Sequence, residues 1–231
     1  MTRVAILVAV LAAGTSLSGQ ALTATKAAAP PPSDIAPSIA TLLSPDAFTV
    51  PVGDVPITVW WVKALPLETA PSGAPKWSDV AEGTLVGVVT VGGAWHDIRG
   101  YVLKAGTYTL RFAMQPQNGD HLGVSPNREF LLLAPSTVDT SAGVTGAKAA
   151  IDLSKKAVNR AHPSALSLDP PVATRPALSP VSNDIGLDGI VFTVPCSFQD
   201  MPVAEISFGL ILRGTIQQEP LPAASLAACR Q

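Results

Sequence analysis

Three histidines stand beside residues that could give them chemistry: Trp95-His96-Asp97, Asp120-His121 and His162-Pro163. Neutral imidazole is a common ligand for zinc and copper, and a neighbouring carboxylate can orient its ring. If the fold brought them together, His121, His162 and Asp120 could hold such a metal, and the protein would be a metal-dependent carrier or enzyme. The spacing argues the other way, because these residues lie far apart and match no metal-ligand pattern. The plainer reading has each histidine hydrogen-bonded in a turn or loop, with no cofactor.

Nucleophilic catalysis has less support. Ser125 lies four residues from His121, and the adjacent Asp120 cannot easily aim at that ring. A working Ser-His pair needs a defined hydrogen bond and a third orienting group. HExxH, GxSxG, CxxC, the P-loop and GxGxxG are all missing. The remaining candidates are binding residues. Trp60 and Trp61 are consecutive, so on a strand they point to opposite faces. One of them can be core while the other stacks on a sugar or packs on a partner. Trp60, Trp95, Asp120 and His121 are therefore the expected ligand-binding set, unless both faces of the Trp60 strand are covered.

The elements that would position these residues are short. Twenty-two prolines and 18 glycines break up the chain, which favours strands and turns over long helices. Strands are expected at 48–50, 57–62, 84–91, 107–113, 129–134, 190–194 and 205–214, rich in β-branched and aromatic residues. Alternation is clearest in two. Tyr108, Leu110 and Phe112 oppose Thr107, Thr109 and Arg111, and Ile206, Phe208, Leu210 and Leu212 oppose Ser207, Gly209, Ile211 and Arg213. Such strands cover one another as a sandwich.

One segment has helical spacing. Ala147, Ala150, Ile151, Ala157, Val158 and Ala161 fall near one face and Asp152 to Lys156 is an i,i+4 pair. The expected fold is an all-β, sandwich-like antiparallel domain with one main helix at about 144–161, closed by His162-Pro163. "NGDHLGVSP" (118–126) reads as an ordered loop joining the strands at 107–113 and 129–134, turned by Asn118-Gly119.

The N-terminus speaks for export. Arg3, an apolar run from Val4 to Ala13 and small residues up to Ala21 follow the order of a secretory signal peptide. The run is too short to cross a bilayer, which takes about 20 apolar residues. Cleavage is expected after Ala21, with Ala24 the alternative, and no transmembrane anchor would remain. The divisions are 1–21 signal, 22–44 an Ala/Pro-rich leader unable to pack a core, 45–218 one β-rich domain with a Pro-rich loop at 163–189, and a tail at 219–231. Cys196 and Cys229 form either a disulfide or two thiols in an exported chain. Losing Arg3 takes the net charge from −2 to −3. With no basic cluster, a nucleic-acid partner is not expected.

The stretch "EGTLVGVVTVGGAWHDIRGYVLKAGTYTLRFAMQPQNGDHLGVSPNREFLLLAP" (82–135) resembles a group of uncharacterised bacterial secreted proteins. Their pattern is a glycine-bounded strand, an Asp-x-Arg-Gly turn, a Gly-x-Tyr-Thr-Leu-Arg strand, then a Gly-x-His-x-Gly-Val-Ser-Pro loop and an Asp-Phe strand. Here Glu129 stands in place of that Asp. "AHPSALSL" (161–168) and "FGLILRG" (208–214) are similar to the same group. The resemblance implies export, to periplasm or outside the cell, and a β-rich fold, but no reaction. The expectation is a non-catalytic exported module that binds an undetermined ligand or envelope partner, with the zinc or copper protein as the alternative.

Overall fold

The structure is a computed structural model, and it describes residues 20–115, 127–170 and 175–216. In chain order the elements are β1 (Thr25–Ala28), α1 (Pro37–Ala40), β2 (Leu43–Val52), β3 (Val55–Val62), β4 (Leu65–Pro66), β5 (Leu85–Val91), β6 (Trp95–His96) and β7 (Val102–Leu103). There follow β8 (Gly106–Met114), β9 (Glu129–Pro135), α2 (Ala147–Val158), β10 (Ala165–Asp169), β11 (Pro180–Ser182), β12 (Asp188–Phe198) and β13 (Met201–Arg213). The protein is mostly β, with one main helix. Eleven strands join in the order β1-β2-β3-β5-β8-β9-β10-β13-β12-β11, and β4 adds in parallel to β12.

This sheet folds on itself at β10. Ala165, Leu166 and Ser167 pair with Leu132, Leu131 and Phe130 of β9. The next two residues, Leu168 and Asp169, pair instead with Leu210 and Gly209 of β13. One short strand thus serves two leaves, a seven-strand leaf from β1 to β10 and a smaller leaf of β10, β13, β12 and β11. The inner faces meet through aromatic rings. Trp61 on β3 packs edge-on against Phe192 and Phe208 at 5.1 and 5.3 Å, and Phe48 meets Phe192 at 5.6 Å. Each such pair contributes about 0.5–1.5 kcal/mol beyond its burial. Gly87 opposes Trp61 in the ladder, beside an irregularity in register, because a Cβ there would sit 2.5 Å from the Trp60 carbonyl oxygen.

The alternation read in β8 and β13 holds. Tyr108, Leu110 and Phe112 join the main core with Ile206, Phe208, Leu210 and Leu212, while Ile211 lies in a second cluster with Leu132, Ala150 and Ala165. The opposite face of β8 is covered too, and it buries a charge. Arg111 is 0% exposed. Its guanidinium donates to both Asp139 oxygens at 2.6 and 2.8 Å and to the carbonyls of Gly83, Ser141 and Gly143. Thr109 also donates to Asp139. This knot ties the 139–143 segment to the sheet just before α2, which packs on β8 and β9. The helix spans 147–158 rather than 144–161. It ends because Asn159 takes the left-handed conformation (φ 51°), a turn earlier than His162-Pro163 would have closed it.

Two expectations about organisation are corrected. The stretch 22–44 is extended in part, but it belongs to the domain. β1 pairs with β2, Leu22, Ile35 and Ile39 are buried, and Asp34 accepts from Thr107. Few apolar side chains suffice there because the sheet face beneath supplies the rest of the contact. The loop 163–189 contains β10 and β11, and β10 is the strand on which the fold turns. β8 and β9 do pair as neighbours, Met114 facing Glu129, with the Gln115 amide donating to Arg128 beyond the ladder. No helix among the described residues is long and apolar enough to cross a membrane.

Candidate functional site

The expected binding tryptophans are structural. Trp60 is buried and its indole N–H donates to the Ala29 carbonyl at 3.1 Å, so the leader covers the face that was to meet a ligand. Trp95 is buried and donates to Leu212 at 3.1 Å. Trp61 is buried as well, so both tryptophans of β3 lie inside the protein although they point to opposite faces. Asp120 and His121 lie outside the described residues, as does Cys229. His96 and His162 are exposed. Among the described residues no group of three or more His, Cys, Asp or Glu is placed to hold a metal ion. Cys196 is buried and forms no disulfide among the described residues, and burial pushes its thiol up to about 11.

Asp97 organises a turn. One oxygen accepts from the backbone amides of Arg99 and Tyr101, and the other accepts from Ser164 Oγ at 2.9 Å and the Ala165 amide at 3.2 Å. Burial raises its pKa above the ordinary carboxylate value, and these hydrogen bonds oppose the rise. All of its partners are backbone groups or Ser164, so Asp97 pins the β6–β7 turn to the start of β10 and has no capacity left for a ligand.

A different place is open. Where β10 leaves β9 for β13, the two leaves part and a cleft of about 270 Å³ remains. If the β9–β10 register continued, Leu168 would face Glu129; the switch to β13 leaves that space. Pro75, Trp77, Leu168, Pro170 and Ile206 give it apolar walls, and Lys76, Ser78, Glu129 and Asp169 are its polar lining. Trp77 reaches the fork on a 3-10 turn, Trp77–Asp79, held because Asp79 accepts from the Lys76 amide at 2.8 Å and from Thr69 Oγ1. Its ring stacks on Phe112 at 4.9 Å and meets Phe208 edge-on at 5.1 Å. Trp77 is 7% exposed, and its indole N–H is buried with no acceptor among the described residues. A buried donor without a partner costs about 1–3 kcal/mol.

Asp169 is half-buried, and burial raises its pKa. The Asn127 amide, donating at 2.7 Å, and the charge of Arg175 oppose the rise. A mostly apolar concavity with a few convergent polar groups is the usual form of a ligand site. Among the described residues the cleft offers carboxylate acceptors and the Lys76 ammonium, but no paired nucleophile and base. Sequence reasoning passed over Trp77 and Asp169. The signal for Trp77 was a lone tryptophan after "GAP" with Asp79 two residues on. Asn127 and Glu129 lay in the stretch already singled out, at its far end from His121.

Compared with family profiles, with curated proteins and with solved structures, the chain has no match.

Proposed function

We propose that the protein is an exported, non-catalytic β-sandwich module that binds a small ligand or a partner's side chain in the cleft at the β9–β10–β13 fork. The observation that carries this reading is the cleft itself, a mostly apolar concavity of about 270 Å³ beside the strand switch at β10, with Glu129 and Asp169 on its wall. Export rests on the charged, apolar and small-residue order of residues 1–21, and is supported by the packing of Leu22 just after the expected cleavage point.

The test maps binding on the folded protein. Backbone-amide NMR spectra are recorded with solutes of different classes: capped peptides, oligosaccharides and small organic acids. At least one class should shift resonances of Trp77, Glu129, Leu168, Asp169 and Ile206 saturably. Ser78→Trp, which fills the cleft from its exposed wall, should abolish that response at an unchanged melting temperature. If no class perturbs the cleft, or the filled variant still binds, the reading is wrong.

A further inference from the structure

The cleft has a sign of charge as well as a shape. Glu129 and Asp169 place two carboxylates on its wall against one ammonium, that of Lys76. Among the described residues neither carboxylate takes part in an ion pair. The hydrogen-bond partner of Asp169 is the neutral amide of Asn127. Arg175 acts on Asp169 through its charge without forming an ion pair, so a cation at hydrogen-bond distance would serve this half-buried carboxylate better than the amide does.

The walls select among cations. Pro75, Leu168 and Ile206 line the cleft with apolar surface of the kind along which the alkyl stems of lysine and arginine lie with the charge at the tip. The stacked Phe112 and edge-on Phe208 occupy the Trp77 ring, which leaves poor access for the ring stacking that sugar recognition uses.

A backbone platform lies alongside. β13 runs from Met201, but β10 pairs with it only at Gly209 and Leu210. Among the described residues its edge on that side is unpaired from Met201 to Phe208, and Ile206 of that stretch lines the cleft. Met201 and Val203 are exposed, 67% and 44%. An unpaired strand edge accepts an extended peptide through main-chain hydrogen bonds, while a neighbouring pocket reads one side chain.

Resting on the binding reading above, we infer that the cleft takes a lysine or arginine side chain of an extended peptide segment that adds to the free edge of β13. The charged head meets Asp169 and Glu129, and the stem lies on Leu168 and Ile206.

The probe is a capped five-residue peptide of valine and threonine with lysine at its centre, compared by calorimetry with its norleucine and arginine versions. The lysine and arginine peptides should bind at least tenfold more tightly than the norleucine one. Asp169→Asn and Glu129→Gln should each weaken the lysine peptide severalfold and leave the norleucine peptide unchanged, with melting temperatures like the wild type. Raising salt should weaken the lysine peptide alone. Equal affinity for lysine and norleucine, or indifference to Asp169→Asn, overturns the inference and leaves the cleft as a binding site for apolar side chains. Saturable cleft binding by an oligosaccharide or an organic acid, with no peptide bound, overturns it while the binding reading stands. A cleft that binds none of these solutes removes both.

Discussion

Asp139→Ala should be the most damaging single substitution of an acidic residue in this protein. Asp139 is 1% exposed and holds both its oxygens against Arg111, with Thr109 as a third donor. Removing it leaves a guanidinium inside the fold with only the carbonyls of Gly83, Ser141 and Gly143. Stripping one partner from a buried ion pair costs about 3–5 kcal/mol, because the charge that remains stays desolvated. For a domain of this size each kcal/mol lowers the melting temperature by about 2–4 °C, so a drop of roughly 6–20 °C is expected. Urea unfolding followed by tryptophan fluorescence measures the free energy, with the m-value as a check that two-state behaviour survives. The double replacement Arg111→Met with Asp139→Leu separates charge from packing. It removes both ions, which by itself is often neutral, but three carbonyls lose their donor at about 1–3 kcal/mol for each that stays dry. The pair should therefore be far less than additive. A loss below about 1 kcal/mol for Asp139→Ala would show that water reaches Arg111, and the account of this knot as a sealed tie between β8 and the segment before α2 would fail.

Cleavage should follow Ala21, so that N-terminal sequencing of exported protein begins at Leu22; retention of Met1 would refute it. Cys196 should resist thiol reagents in the native protein near pH 8, since burial holds it as a thiol with its pKa at about 11; ready labelling of folded protein would contradict this. Unfolding without reductant should release the Cys196 thiol, whereas a chain with no titratable thiol would show a bridge to Cys229. Asp97 has a raised pKa in the fold, so the native state binds its proton more tightly than the unfolded chain. Its contribution to stability then falls as pH rises from the unfolded value near 3.8 through the folded one. Wild type minus Asp97→Asn, measured by denaturant unfolding at several acid pH values, should show that slope, and a slope of the opposite sign would refute the assignment. Trp60→Phe should cost about 1 kcal/mol through the lost bond to Ala29; a cost-free change would mean that the leader is not anchored there.

Seven strands and the helix were legible because each carries its signal locally. Alternation of Tyr108, Leu110 and Phe112 sets one face of β8 whatever lies opposite, and the β-branched residues between Val86 and Val91 favour a strand, which the fold then buries. Local pattern failed in three places for three reasons. β1 offers the exposed residues Thr25 to Ala28, and becomes a strand only because β2 presents an edge. β10 was hidden among prolines and serines. Whether Trp60 faces outward or inward was open, because nothing in its own sequence reveals that Ala29 crosses above it.

From its order of residues alone the chain determined a β-rich domain, which faces of its strongest strands are apolar, one helix and the signature of export. Those properties follow from side-chain period and turn chemistry, which act over a few residues. The tertiary structure alone decided that β10 changes leaves between Ser167 and Leu168, that Arg111 and Asp139 meet inside, and that Trp77, Glu129 and Asp169 share a cleft. Each of those depends on pairing partners distant along the chain. A residue's type states what it can bond to, but only the closed sheet determines which partner comes within reach and which donor is left without one.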